Sequence, residues 1–452
     1  MSKDEYLITD TPLKALTVFA MPMILGSFFQ QIYNMADSII VGQFVGSSAL
    51  AAVGACAALT NVFICVALGA GVGAGVLVSR YFGAREYGKM KTIVSTSLIS
   101  FLLLSIVLGV LGFFFANSMM RGLQTPADIL DDAVLYLRVY FAGFPFLFMY
   151  NILSNMFTSI GESRIPLALL IFSSVLNIFM DLWMVAGLGL GVFGAALATD
   201  ISQVISGVLS FIYLRRKFDV LKMEKDDLAF SKKASIRLLG IGVPMGLQCS
   251  ITAIGSVVLQ GAVNGLGSDI VAAQTAGGKA AQFLSVPLES IGTAMTTYAS
   301  QNMGAHDLKR VDRGVNTALG IGCVYSVASF LILRVLDVPL ISLFLESSEV
   351  EIMANARSFI FWNSVFYIPL AVLIIYRYTI QGLGYSGLAM FAGVAEMVAR
   401  AMVGFWFVPL WGYFAACIAN PVAWFFACFF LIPAYFAVRN RLMKENAYGV
   451  GD

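Results

Sequence analysis

Four polar side chains set in apolar surroundings carry the chemistry most easily read from this sequence: Asp37, Asn177, Asp181 and Thr199. An ionised group at the centre of a membrane helix costs at least about 2.5 kcal/mol unless it meets a cavity or a partner. Asn177 and Asp181 stand four residues apart, so on a helix they share a face. Together the four can present only oxygen donors, which suits a hard cation such as Na+. Two neighbouring carboxylates also raise each other's affinity for a proton. The set is therefore a candidate coupling site for H+ or Na+, and buried helix-to-helix hydrogen bonding is the competing use of the same groups. Asp200 follows Thr199 directly and points about 100° away from it on a helix. It faces a different cavity or pairs with another helix.

A second charged set lies in the later half: Lys279, Glu289, Arg377, Glu396 and Arg400. Glu396 and Arg400 are i and i+4 neighbours, the spacing of a local ion pair. A structural ion-pair network and a substrate or second proton site both fit these residues. Glu289 follows Pro287, which bends a helix and frees carbonyls toward a cavity. It joins Gln30, Tyr33, Asn34, Asn151 and Asn155 as a candidate for the lining of a substrate pocket. Amides inside apolar spans serve either as such contacts or as interhelical hydrogen bonds. The 20 Met and 36 Phe supply adaptable apolar walls.

The elements that must hold these residues are membrane helices. The chain has 452 residues, of which 59% are hydrophobic and 12% charged, with a mean hydropathy of +0.85. That balance departs far from soluble domains. Runs long enough to cross roughly 30 Å of hydrocarbon fall near 13–40, 48–79, 92–117, 134–158, 165–187, 190–214, 238–263, 270–300, 314–336, 353–380, 386–409 and 411–438, giving twelve spans. The opening run lacks a strong basic start and a small-residue cleavage site, so it reads as a retained helix. Arg80, Arg85, Lys89 and Lys91 follow the second span, a basic cluster from Arg215 to Arg237 follows the sixth, and Arg439, Arg441 and Lys444 close the chain. Acids such as Asp128, Asp131, Asp132, Glu346, Glu349 and Glu351 fall in the opposite connections. Both termini are thus expected in the cytoplasm.

The long polar connection divides the chain into an N-terminal lobe at 1–217, a linker at 218–237 and a C-terminal lobe at 238–452. The halves repeat. Pro22-Met23 recurs as Pro244-Met245, Ala51-Ala52 as Ala272-Ala273, Gly83-Ala84 as Gly304-Ala305 and Gly191-Val192-Phe193 as Gly412-Tyr413-Phe414. An even number of spans per half makes the repeats parallel, as in two-lobed transporters. At this offset Asp37 falls near Leu259 and Asp181 near Gly404, so the second lobe keeps neither carboxylate.

These motifs resemble the multidrug and toxic compound extrusion (MATE) transporters, in the bacterial branch that includes the DinF-like proteins. The resemblance covers essentially the whole chain. Gln30-Gln31-Ile32-Tyr33-Asn34-Met35-Ala36-Asp37 with Gly42, the paired stretches Ser79 to Ala84 and Ser300 to Ala305, Leu176 to Asp181, and Ala198-Thr199 carry it. It implies an all-α membrane protein of twelve transmembrane helices in two pseudo-symmetric six-helix lobes, the parallel inverted-V bundle of that family. It also implies a cation site at Asp37, Asn177, Asp181 and Thr199, and cation-coupled antiport of small organic, often cationic, drugs or toxic metabolites across the bacterial cytoplasmic membrane. Asp200 departs from the family pattern, which has an apolar residue after the threonine.

A flippase for a lipid-linked precursor is the second transporter reading. It needs a cationic cavity for a pyrophosphate head group, which Lys279, Arg377 and Arg400 leave open, whereas the acid-bearing first lobe and twelve spans speak against it. The sequence shows no catalytic constellation and no nucleotide-binding motif, so neither an enzyme nor ATP use is expected. The glycine series Gly69, Gly71, Gly73 and Gly75 lacks the Lys-Ser/Thr of a phosphate loop and reads as close helix packing. The net charge of +2 lacks the basic field that nucleic acid requires. Expected partners are small organic substrates and membrane lipids, without an obligatory protein partner, and H+ or Na+ is the only cofactor-like species.

Overall fold

A computed structural model describes residues 5–217, 230–342 and 350–447. Most of the expected linker, at 218–229, and the acids Glu346 and Glu349 lie outside the described residues. What is described is almost wholly helical, as a chain must be where lipid offers its backbone no hydrogen-bond partners. The helices are α1 (Tyr6–Thr9), α2 (Pro12–Phe44), α3 (Ser47–Gly83), α4 (Tyr87–Gly122), α5 (Leu130–Ser159), α6 (Arg164–Asp181), α7 (Gly191–Lys217), α8 (Lys232–Asn264), α9 (Ser268–Gly304), α10 (Leu308–Ile341), α11 (Val350–Val365), α12 (Tyr367–Gly382), α13 (Ser386–Met402), α14 (Val408–Trp411) and α15 (Tyr413–Ala447). Two π-helical turns, Leu182–Gly187 and Val403–Phe407, follow α6 and α13.

Ten of the described helices are long and apolar enough to cross a membrane, and a bent pair makes up to eleven. Two expected spans differ from simple rods. The run at 353–380 is broken into α11 and α12, which meet at 52°. Pro369 lies in the first turn of α12 and has no N–H to offer the preceding turn. The run at 270–300 forms the single 37-residue helix α9, yet fails the same test of apolarity. Much of its length is buried within its own unit, including Thr296, Thr297, Ser300, Gln301 and Asn302, so it carries polar groups that meet protein instead of lipid.

The repeat is visible in backbone geometry. Gly46 and Gly267 have φ of 110° and 109°, Arg85 and His306 of 58° and 59°, and Gly191 and Gly412 of 57° and 58°. Each pair is 221 residues apart, and so are the starts of α3 and α9, of α4 and α10 and of the two π turns. The register places Val258 opposite Asp37 and Met402 opposite Asp181, one and two residues from the positions expected from sequence. Neither replacement is acidic.

The chain forms two compact units, Met21–Gly246 with Met1–Glu5, and Tyr6–Ala20 with Leu247–Asp452. Their boundaries fall inside α2 and α8, beside Pro22 and Pro244. In the first unit the glycine series packs two ways. A Cβ on Gly69 or Gly73 would come within 2.5 or 2.8 Å of the α8 backbone, while one on Gly71 would come within 2.6 Å of the Asn155 amide of α5. Glycine here permits backbone-to-backbone contact.

Candidate functional site

In the first unit α2, α6 and α7 bring the four oxygen-bearing residues together, with α5 alongside. Asp181 is the last residue of α6, where the α-helix widens into the π turn. The equivalent π turn in the second unit follows Met402, so the turn belongs to the repeat and the acid is the local addition. Asp181 and Asn177 are buried, at 0% and 1% exposure. With its amide nitrogen facing the acid, Asn177 donates to Asp181 Oδ2 at 2.8 Å, and its oxygen accepts from Thr199 Oγ1 at 3.3 Å and from the Thr199 backbone N–H at 3.2 Å. That orientation is the one that gives both ends of the amide a suitable partner.

Asp37 of α2 lies beside Asp181, near enough for the two carboxyl groups to interact. Two ionised carboxylates can only accept, so the pair can share a hydrogen bond only with a proton on one of them. Asp181 Oδ1 is buried and has no hydrogen-bond partner among the described residues. An orphaned carboxylate oxygen among an amide, a hydroxyl and a second carboxyl can take either a proton or a small monovalent cation.

Two tyrosines complete the site. Tyr33, one turn before Asp37, lies beside Thr199 and within electrostatic reach of both acids. Tyr136 of α5 lies within electrostatic reach of Asp37, Tyr33 and Tyr140. The sequence reading missed Tyr136 and Tyr140; their i, i+4 spacing was the available signal, since it places both hydroxyls on one face.

The remaining pocket candidates are dispersed. Gln30 Nε2 donates to Asn34 Oδ1 at 3.4 Å, along α2 from the acid. Asn151 and Asn155 donate to the Leu147 and Asn151 carbonyls of their own helix, each at 2.9 Å, and Asn155 packs on Gly71 and Gly75. They stand 15 and 19 positions beyond Tyr136, or about 22 and 28 Å along α5 at 1.5 Å per residue. The structure thus gives these two a helix-packing place away from Asp37.

In the second unit Arg377 of α12 and Arg400 of α13 both pair with Glu396, which is 3% exposed. Arg400 Nε also donates to Asn420 Oδ1 at 3.2 Å, and Asn420 Nδ2 donates to Asn363 Oδ1 at 3.2 Å. Asn420 occupies the position equivalent to Thr199. Glu289 accepts from the Tyr378 hydroxyl at 2.9 Å and lies within reach of the Arg377 and Glu396 charges. Lys279 is ten positions earlier on α9, about 15 Å along the axis, and is exposed. Val258 and Met402, which replace the two acids, line an apolar cavity of about 420 Å³ with Met397, Val398, Phe405 and Trp406.

Comparison with known proteins agrees with this architecture. A family profile described as MatE matches residues 22–183 and 244–406, one match per repeat. A probable multidrug resistance protein of Bacillus subtilis, YoeA, is 27% identical over 349 residues, covering 76% of this chain and 75% of that protein. The multidrug export protein MepA of Staphylococcus haemolyticus is 24% identical over 453 residues, 98% of each chain. An outward-facing structure of a multidrug resistance MATE family transporter of the MOP superfamily superposes with a TM-score of 0.90 at 23% identity, over 98% of this chain and 99% of that one.

Proposed function

The chain belongs to the MATE family of membrane transporters, and we propose from that premise that it exports small organic molecules, drugs or toxic metabolites among them, by antiport against H+ or Na+ bound at Asp37 and Asp181. The setting is the bacterial cytoplasmic membrane, with both termini in the cytoplasm. The observation that supports the reading is the pair of neighbouring carboxyl groups, one with a buried unpartnered oxygen and bonded through Asn177 to Thr199, inside a bundle of apolar helices. Such a group is costly to keep unless it binds something.

Four helices meet at this point, so occupancy of the site changes which arrangement of α2 is favoured. The ionised pair repels and the occupied pair attracts. Pro22 gives α2 a place to bend. A cation that binds one arrangement better shifts the population toward it, and a substrate that favours the other is exchanged for it. Each monovalent charge moving inward across 100 mV contributes about 2.3 kcal/mol, which at about 1.4 kcal/mol per tenfold sustains roughly a 40-fold substrate gradient.

The flippase reading needs cationic groups free for a pyrophosphate. Glu396 engages both Arg377 and Arg400, which favours antiport. The test is binding linkage. Adding a cationic dye to the purified, weakly buffered protein is expected to release protons, or Na+ from a preloaded sample. Release of neither ion, or release undiminished in Asp37→Asn and Asp181→Asn, would overturn the proposal.

A further inference from the structure

The outward faces of α4 and α10 are apolar. Val107, Val110 and Phe114 of α4 recur at helical spacing and are exposed, as are Leu331, Val335 and Val338 of α10. In a membrane protein such stripes meet acyl chains. Beside each stripe stands one arginine that the charge networks leave out.

In the first unit Arg138 of α5 is exposed and lies over the ring of Phe113 on α4, 5.7 Å from its centroid. In the second unit Arg334 of α10 is exposed and lies over the ring of Phe361 on α11 at 5.3 Å. Phe113 and Arg334 are equivalent positions, 221 residues apart. The cation therefore comes from the later helix in one unit and from the earlier helix in the other. Equivalent helix pairs hold the same arrangement through different residues.

Neither arginine is neutralised by protein. Among the described residues neither side chain forms an ion pair or a hydrogen bond. Asp337, three residues from Arg334 on α10, is held instead by Arg357 Nε at 2.8 Å. The acids that precede Arg138 on α5, Asp131 and Asp132, are exposed and about 9 Å or more away along the axis. An aromatic ring attracts a guanidinium through its face and occupies none of its N–H donors. The planar fork stays free for an oxyanion.

Depth narrows the partner. Phe113 is four residues short of the end of the apolar run at 92–117, about 6 Å. Arg334 is two residues short of the end of the run at 314–336, about 3 Å. From these depths a long cationic side chain reaches the level of the lipid head groups. A phosphate carried on acyl chains meets both the fork and the apolar stripe below it. A zwitterionic lipid brings its own cation to the site, whereas an anionic lipid adds net attraction.

We propose that Arg138 and Arg334 are head-group sites, one in each unit, and that each binds the phosphate of an anionic phospholipid whose chains lie along the exposed face of α4 or α10. The inference rests on the membrane setting of the family and is independent of the antiport reading.

Native mass spectrometry of the full-length protein, delipidated in detergent and titrated with phosphatidylglycerol, tests the assignment. Arg138→Gln and Arg334→Gln are each expected to weaken binding at one site about fivefold, the factor that one basic side chain contributes at an anionic surface. The double variant is expected to weaken both sites. Arg441→Gln removes an exposed arginine that pairs with Glu445 and is expected to bind as the wild type does. Phosphatidylcholine is expected to bind the wild type more weakly and to ignore the substitutions. Phosphatidylglycerol binding unchanged in the double variant, an equal loss in Arg441→Gln, or phosphatidylcholine binding that falls in parallel would each overturn the proposal. Should the variants fail to fold, thermal melting of the wild type decides. Phosphatidylglycerol is expected to raise the melting temperature more than phosphatidylcholine does, by a margin that shrinks at high salt, while inorganic phosphate at the same concentration leaves it unchanged. Equal rises with the two lipids, or an equal rise with inorganic phosphate, would overturn the proposal.

Discussion

In the proposed antiport Asp37 and Asp181 act as a unit, so replacing either acid is expected to change what the other holds. Converting either to Asn keeps the volume and removes a carboxyl, so gradient-driven export is expected to fall at least about tenfold, or about 1.4 kcal/mol of coupling, while the purified protein stays folded. Transport by membrane vesicles with a size-exclusion control checks this. The Glu396 site makes the opposite kind of prediction. Glu396→Ala leaves two buried guanidinium groups without their shared partner, and breaking such a pair costs about 3–5 kcal/mol. A lowered melting temperature in detergent is the expected outcome, and Glu396→Gln, which retains an acceptor, is expected to lose less. The acids were legible in sequence because a charge inside an apolar run is conspicuous. Tyr136 and Tyr140 were not, because a tyrosine fits an apolar span whether or not its hydroxyl has work. The close approach of Asp200 to Gly143, where a Cβ would come within 2.1 Å of the carboxyl group, was also hidden, since it depends on the pairing of α5 with α7.

At the scale of the element, close helix approach is set by glycine. Gly73 of α3 meets the backbone of Gly242 on α8, with 2.8 Å available to a Cβ. Because the obstacle is backbone, Gly73→Leu must push the two helices apart. Overpacking of this kind costs about 1–3 kcal/mol or more. Thermal stability of Gly73→Leu is expected to drop clearly, whereas Gly88→Ala, with open space around the new Cβ, is expected to match the wild type. The packing role of this glycine series follows from its apolar setting and the missing Lys-Ser/Thr. The break between α11 and α12 was harder to read, because Pro369 sits within an unbroken hydrophobic run whose hydropathy does not register a bend. α9 shows the reverse case. Hydropathy understates it, because a helix buried in its own unit can carry polar side chains that a lipid-facing helix cannot.

For the molecule as a whole, repetition is the governing feature and asymmetry within it marks the chemistry. Paired backbone angles recur at an offset of 221 residues, yet the positions equivalent to Asp37, Asp181 and Thr199 hold Val258, Met402 and Asn420. Four short sequence matches were enough to reveal the repeat. They could not locate the unit boundaries, which fall inside α2 and α8 where no polar break interrupts the chain. With an acidic site in one unit and an Arg–Glu–Arg cluster in the other, the proposed antiport predicts a division of labour in which ion binding is confined to the first. The most direct test is uptake of a fluorescent cationic dye by proteoliposomes under an imposed proton gradient, an imposed sodium gradient and no gradient. Dye movement is expected to follow one of the two gradients and to vanish in Asp37→Asn. Dye movement without any gradient, or undiminished in Asp37→Asn, would contradict the account.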